Sequence, residues 1–293
     1  MGKNRLQNRF NSFLFATLLI VVILLWGQFF YSRPSPNLNL YFLDVGQGDA
    51  IYIRTPTGED ALIDGGPDDS ILQKLGEVMP PTDHEINLVI LSHPHADHLK
   101  GLLEVLSRYK VDEILQTDVE YDSVTFLTWQ KMIGEKQIAN HLARAGVERS
   151  LGEAKILILY PDDSFIGQKI DNPNNTSVVS KVSYKNFAAL LMGDLEKEGQ
   201  TKLLQTQKDN LAVQVIKIPH HGSDTAAYQP FLEAVLPKLA IISVGKDNKY
   251  GLPGQVIFEI LKKINAEVLQ TSQNGTIKVE SDGEKFWVKE ERK

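Results

Sequence analysis

A chain of 293 residues, 42% of them hydrophobic, can bury a large core, and its lack of cysteine excludes disulfides and thiolate metal ligands. Any metal here has to be held by histidine and carboxylate. The formal charge is −6, and because residues 1–33 carry four basic and no acidic side chains, the remainder holds 27 basic against 37 acidic residues, a net of −10 that argues against a phosphate-tracking nucleic-acid binder.

In chain order, Lys3, Arg5 and Arg9 precede an uncharged stretch over 10–32 whose core, 13–25, is almost wholly apolar. A bilayer crossing takes about 20 predominantly apolar residues, and 13–31 is an uncharged, mostly apolar stretch of 19. The run ends in Trp26, Phe29, Phe30 and Tyr31, an aromatic belt, where a cleavable signal would end in small residues. The expectation is a single-pass anchor over 1–33, with the N-terminus cytoplasmic and the following domain extracytoplasmic. Residues 34–37 read as a short linker with Pro34 and Pro36, and one domain is expected over 38–293.

Alternation over 38–44 predicts a strand, followed by a Gly46–Gly48 turn, a strand over 50–54, and another over 61–64 ending at Gly65-Gly66. A helix over 71–78, an apolar strand over 86–91, an amphipathic helix over 99–109, a strand over 111–115 and a long helix over 126–145 come next. The second half predicts strands over 156–160, 177–184, 187–192, 212–218 and 239–244, and helices over 195–204, 228–236 and 255–264. Asn274-Gly275 and Asp282-Gly283 suggest closing hairpins. This order suits two mixed sheets packed face to face with helices outside.

The chemistry gathers at Ser92-His93-Pro94-His95-Ala96-Asp97-His98, between a buried strand and a helix. In an extended segment His93 and His95 point the same way and can grip one ion. Asp97 and His98, where the helix begins, splay apart and can reach a second. Imidazole and carboxylate suit zinc or manganese, and two such ions about 3.5–4 Å apart would activate a water. Asp194 follows an apolar strand and could bridge two ions, or cap the helix after it. His220 and His221 end another strand beside Gly222 and Ser223. His84, in a loop, and His141, on a predicted helix, have no partner nearby in sequence.

Together these motifs resemble the metallo-β-lactamase superfamily, with its H-x-H-x-D-H signature, and more narrowly the hydrolase domain of the ComEC competence proteins. The likeness rests on Phe42 to Ala50, Leu62-Ile63-Asp64-Gly65-Gly66, the histidine cluster, Gly193-Asp194, Pro219-His220-His221-Gly222-Ser223, and Ser243, Gly245, Asn248, Tyr250 and Gly251. It implies an αββα sandwich and a binuclear metal site. It makes His93, His95, Asp97, His98, Asp194 and His221 the ligands, with Asp97 and Asp194 also orienting the attacking water. It puts Asp44, Gln47 and Asp49 in a loop at the rim, Asp64 as an acceptor that holds the metal loop, and Asn175, Ser177, His220 and Ser223 beside the metals or facing substrate. Two departures stand out. Asn174-Asn175-Thr176-Ser177 occupies a place where many members have another histidine, so one ion is expected to be held weakly. Leu252 stands where the family often has histidine. The implied activity is a membrane-anchored phosphodiesterase or nuclease related to competence and DNA uptake, working beside a separate DNA channel. The alternatives are an esterase for phosphorylcholine-type cell-wall phosphodiesters, or a metal-poor module that binds without catalysis. The oligomeric state is not legible in the sequence.

Overall fold

The computed structural model describes residues 2–31 and 35–292, with the side chains of 2–6, 8–10, 24, 25 and 27–31 excepted. Ser32, Arg33 and Pro34, at the end of the expected anchor and the start of the linker, lie outside the described residues, as do the side chains of Lys3, Arg5 and Arg9. The chain forms two compact units, Met1–Pro34 and Ser35–Lys293. The first is helix α1 (Gly2–Tyr31), along which Phe13, Phe15, Ile20 and Ile23 are exposed. Among the described residues no helix is long and apolar enough to cross a membrane.

In the second unit the first half runs β1 (Leu38–Phe42), β2 (Ile51–Arg54), β3 (Asp60–Ile63), α2 (Ser70–Val78), β4 (Glu85–Ile90), α3 (Ala96–Arg108), β5 (Lys110–Gln116), α4 (Val124–Lys136) and β6 (Ala139–Leu142). The second half runs β7 (Glu148–Leu151), β8 (Ala154–Tyr160), β9 (Val179–Tyr184), β10 (Phe187–Leu191), α5 (Lys197–Thr206), β11 (Val215–Lys217), α6 (Gln229–Val235), β12 (Leu239–Ile242), α7 (Gln255–Lys263) and β13 (Glu267–Gln270). A one-turn α8 (Thr271–Asn274) then leads into the hairpin β14 (Ile277–Ser281) and β15 (Phe286–Glu290). One sheet has the order β15-β14-β1-β2-β3-β4-β5-β6 and the other β13-β12-β11-β10-β9-β8-β7. Each is antiparallel on one side and parallel on the other, with β3 to β6 parallel in the first and β10 to β13 in the second.

Side chains alternate across each strand, and here both faces are covered. Ile63 on β3 and Leu191 on β10 join the core between the sheets, with Leu40, Ile156 and Val182. Their neighbours Leu62 and Leu190 face outward, under α2, α3 and α4 on one side and under α5, α6 and α7 on the other, where Trp129 and Phe231 are buried. Double burial explains why these strands read as continuous apolar runs. The result is the four-layer αββα arrangement expected.

Some expectations fail locally. The helix expected over 126–145 stops at Lys136, where Gln137 turns left-handed (φ 54°), and 139–142 instead forms β6, an edge strand parallel to β5. Its four residues are all exposed, so no apolar pattern announced it, and His141 sits on this strand rather than on a helix. The strand over 212–218 shortens to β11, β7 was not foreseen, and β13, the strand before Asn274-Gly275, pairs parallel with β12 rather than in a hairpin. Asp282-Gly283 does close the β14–β15 hairpin, whereas Asn274-Gly275 ends α8.

Strands β1, β3, β4, β10, β11 and β12 all deliver their C-terminal ends to one rim. Open α/β sheets place ligand sites outside those ends, and every candidate ligand lies there, on the loops or, for Asp97 and His98, in the first turn of α3.

Candidate metal centre

The site begins with Asp64, immediately after β3, held left-handed at φ 59°. That uncommon conformation for a residue with a side chain aims its buried carboxylate at the loop after β4. Oδ1 accepts from the Ser92 amide (2.7 Å) and Oδ2 from the Ser92 hydroxyl (2.6 Å), while Oδ2 also lies 2.7 Å from His98 Nδ1. Helix α3 can come this close because Gly101 lies against the backbone of Gly65: a Cβ on Gly101 would sit 1.9 Å from the Gly65 carbonyl oxygen.

With Nδ1 of His98 turned to Asp64, its Nε2 faces Asp194 Oδ2 at 3.2 Å. His93 repeats the device, with Nδ1 on the Ser92 hydroxyl (3.0 Å) and Nε2 3.9 Å from Asp194 Oδ2. His221 donates from Nδ1 to the Ser243 carbonyl (2.8 Å), leaving Nε2 3.4 Å from Asp97 Oδ2 and 3.6 Å from Asp194 Oδ2. His95 is half-buried, its Nδ1 3.1 Å from His93 Nε2 and its ring 6.0 Å from Tyr121. Thus the loops after β4, β10 and β11 converge, and Asp194 Oδ2 lies among the Nε2 atoms of three imidazoles.

Sets of donor atoms close enough to share an ion are His93, His98 and Asp194, then Asp97, His98 and His221. A third, Asp49, Asp64 and His98, gathers on the Nδ1 side of His98, where Asp64 is already engaged in the hydrogen bonds just described. The fit to divalent ions rests on unspent donors: His98 Nε2 and His221 Nε2 are buried without a hydrogen-bond partner, and both face Asp194 Oδ2. Buried polar atoms are ordinarily satisfied, and these are nitrogen and oxygen lone pairs of the kind zinc or manganese takes.

The electrostatics agree. Burial alone would hold the His98 and His221 imidazoles neutral, but the carboxylate of Asp194, with Asp64 for His98 and Asp49 and Asp97 for His221, outweighs it. His98 is raised well above its ordinary value and His221 to about 9. Burial would raise the Asp194 carboxyl, yet His98, His221 and Lys217 hold it well below the usual range. His93, away from most of the negative charge, is pushed well down by burial and by the charge on His98. Carboxylates (Asp49, Asp64, Asp97 and Asp194) outnumber the one fixed cation, Lys217, here, a balance that bound metal ions would offset.

Other expected site residues lie farther out. Asp49 is not on the rim; it is buried, pairs with Lys217, and has Oδ1 3.4 Å from His221 Nδ1. Asp44 turns to Arg292 near the C-terminus. Gln47 accepts from the Gly245 amide (3.1 Å), which ties the first loop to the loop after β12. His220 and His221 are both left-handed (φ 49° and 51°), and the tight turn separates them. His221 goes inward, while His220, a quarter exposed, meets Glu196 (3.1 Å) and Thr225 (3.2 Å). Ser223 bonds Thr225 at the surface. Ser177 is buried and its hydroxyl accepts from the Asp194 amide (3.0 Å), so it holds the bridging candidate in place. Asn175 turns to Glu198 and to the Glu196 amide, while Asn174 approaches His220. Leu252 is half-buried, its backbone held by Asn248.

One residue was missed in the sequence. Lys217, at the end of β11, is fully buried, pairs with Asp49, donates to the Gly193 carbonyl (3.0 Å) and lies 3.7 Å from Asp194 Oδ1. A lone lysine inside the apolar run Val215-Ile216-Lys217-Ile218 was the available signal.

The chain is 28% identical over 292 residues to ComE operon protein 3 of Bacillus subtilis, covering 93% of this chain and 37% of that protein. It is 28% identical over 267 residues to Recombination protein 2 of Haemophilus influenzae, covering 89% of this chain and 31% of that protein. The chain therefore spans about a third of the length of these relatives, and the resemblance to competence proteins read from the motifs is borne out. Among solved structures, the metallo-β-lactamase fold protein YhfI from Bacillus subtilis matches with a TM-score of 0.53 and 11% identity, covering 85% of this chain and 99% of that one, which shows a shared fold. A family model described as the metallo-β-lactamase superfamily matches residues 43–246, well over half of the sequence, and the chain belongs to that superfamily.

Proposed function

We propose that the chain is a metal-dependent hydrolase of phosphodiester bonds, anchored in a membrane through residues 10–32 with its domain on the extracytoplasmic side. The observation that carries this reading is the convergence of buried, unpartnered donors (His98 Nε2, His221 Nε2 and Asp194) on one pocket beside the partly exposed Asp97. Divalent ions held there, zinc or manganese, would polarise a phosphoryl oxygen and lower the pKa of a water to near 7. The protein's own contribution is orientation. Asp64, Ser92 and the Ser243 carbonyl fix three imidazoles, and Asp97, kept ionised by His221 and His98 against the cost of burial, can position the attacking water.

Next to Asp97 opens a cleft of about 430 Å³ lined by Gln47, Lys100, Asn248, Lys249 and Tyr250. Its two lysines, Lys100 and Lys249, are balanced by Asp97 and Asp247 in the same lining, so the cleft offers local cationic contacts without a net positive charge. DNA as substrate, a separate DNA channel as partner and a place in DNA uptake rest on kinship with relatives that are far longer. A small phosphorylcholine-type cell-wall phosphodiester is the second reading, favoured by the acidic body, which would repel a polyanion.

The test uses the full chain in detergent with manganese or zinc, assayed on a chromogenic phosphodiester, single-stranded DNA, plasmid and a phosphorylcholine ester. Cleavage of the chromogenic diester that chelator abolishes and metal restores supports a phosphodiesterase, and the remaining substrates separate the two readings. Metal-loaded protein inactive on all four overturns the enzyme reading in favour of a module that only binds.

A further inference from the structure

Burying an ammonium group is costly unless something compensates it, and Lys217 is the one lysine that is buried among the described residues. Its ammonium has three protons. One meets Asp49 Oδ2 and one the Gly193 carbonyl, directly before Asp194 in the chain. The third direction faces Asp194 Oδ1 at 3.7 Å, beyond a hydrogen bond but within ion-pair reach, and that oxygen has no hydrogen-bond partner.

The two oxygens of Asp194 therefore face different neighbours. Oδ2 faces the imidazoles at 3.2, 3.6 and 3.9 Å, and Oδ1 faces Lys217. Asp49, the lysine's other partner, lies on the Nδ1 side of both His221 (3.4 Å) and His98 (3.8 Å). One cation thus joins the carboxylate in front of those imidazoles to the carboxylate behind them.

We propose that Lys217 is a positioning residue of the metal centre. It keeps Asp194 turned so that Oδ2 faces the imidazole Nε2 atoms where ions would be held, and it ties that carboxylate to Asp49 on the far side of His98 and His221. This rests on the metal-centre reading above. A lysine that merely filled the core would leave metal binding unchanged when replaced.

The experiment is manganese(II) titration of the full chain in detergent, read by bound-metal stoichiometry and by low-temperature electron paramagnetic resonance, comparing wild type with Lys217→Met. Wild type is expected to take two manganese ions and show an exchange-coupled pair. Lys217→Met is expected to hold the second ion roughly 10- to 100-fold more weakly, the range for replacing partners that orient ligands, with the coupled signal giving way to that of isolated ions. If Lys217→Met does not fold, Lys217→Met combined with Asp49→Asn removes both charges together and is expected to show the same loss of coupling. Wild-type affinity and coupling in whichever variant folds overturn the role of Lys217 while leaving the metal centre intact. A wild-type protein that binds no manganese or zinc overturns the metal-centre reading, and this inference with it.

Discussion

The two sides of the metal pocket are built to different standards. On the side of His98 and His221 each ring is buried, each Nδ1 has a fixed partner, and each Nε2 is left without one. On the side of His93 and His95 only His93 is anchored, by Ser92, while His95 is half-buried and leans on His93 and Tyr121. Asn174 and Asn175 add no imidazole to the pocket and instead bond Glu196 and Glu198. Affinity for an ion depends on how firmly its ligands are held in place, so the first side should keep its ion and the second should lose it readily.

The largest effect is expected where the two sides meet. Asp194→Asn should lower activity on a chromogenic phosphodiester by roughly 10³-fold and reduce bound metal on both sides, measured by turnover and metal analysis on one preparation. Retention of both ions would detach Asp194 from the centre. Next, His221→Ala should weaken metal binding at least about tenfold more than His95→Ala, as read by competition with a fluorescent chelator. Equal losses would erase the distinction between the sides. Asp64→Ala acts through its neighbours: it frees His98 Nδ1 and leaves the buried Ser92 amide unpaired. It should cost roughly 10- to 100-fold in metal affinity and about 1–3 kcal/mol in stability by denaturant titration.

The smallest expected effect on the metal centre comes from a residue away from the pocket, which serves as a control. Burial raises the Asp60 carboxyl from 3.8 to about 6, against hydrogen bonds from Asn87 and Tyr52 and the charge of Arg54. The folded chain thus holds this proton more tightly than the unfolded one. The associated stability is fully present below about pH 4 and is lost as the pH rises through about 6, by roughly 2–3 kcal/mol. Asp60→Asn should flatten that part of the stability profile while leaving metal affinity unchanged, and an altered metal affinity would show the two regions to be coupled.

Much of this was legible in the sequence because chemistry and topology coincide there. A strand followed at once by His93, His95, Asp97 and His98 fixes residue types, spacing and position together, and the buried strands announce themselves by composition. What stayed hidden depends on long-range pairing. The edge strand β6 has no apolar face, so only its alignment with β5 reveals it. The burial of Asp49 and the position of Lys217 follow from β1 and β11 meeting at one rim across two sheets, which local pattern cannot report. The motif already set His221 apart from His220 as the ligand, but the means of separating them, two consecutive left-handed residues, is a conformation neither residue type advertises.

The central claim is most directly tested by anomalous diffraction from crystals of the chain soaked in manganese. The account predicts two peaks about 3.5–4 Å apart, both beside Asp194, with the one near His98 and His221 at the higher occupancy. No peak within bonding reach of His98 Nε2 and His221 Nε2, in crystals that bind manganese elsewhere, would contradict it.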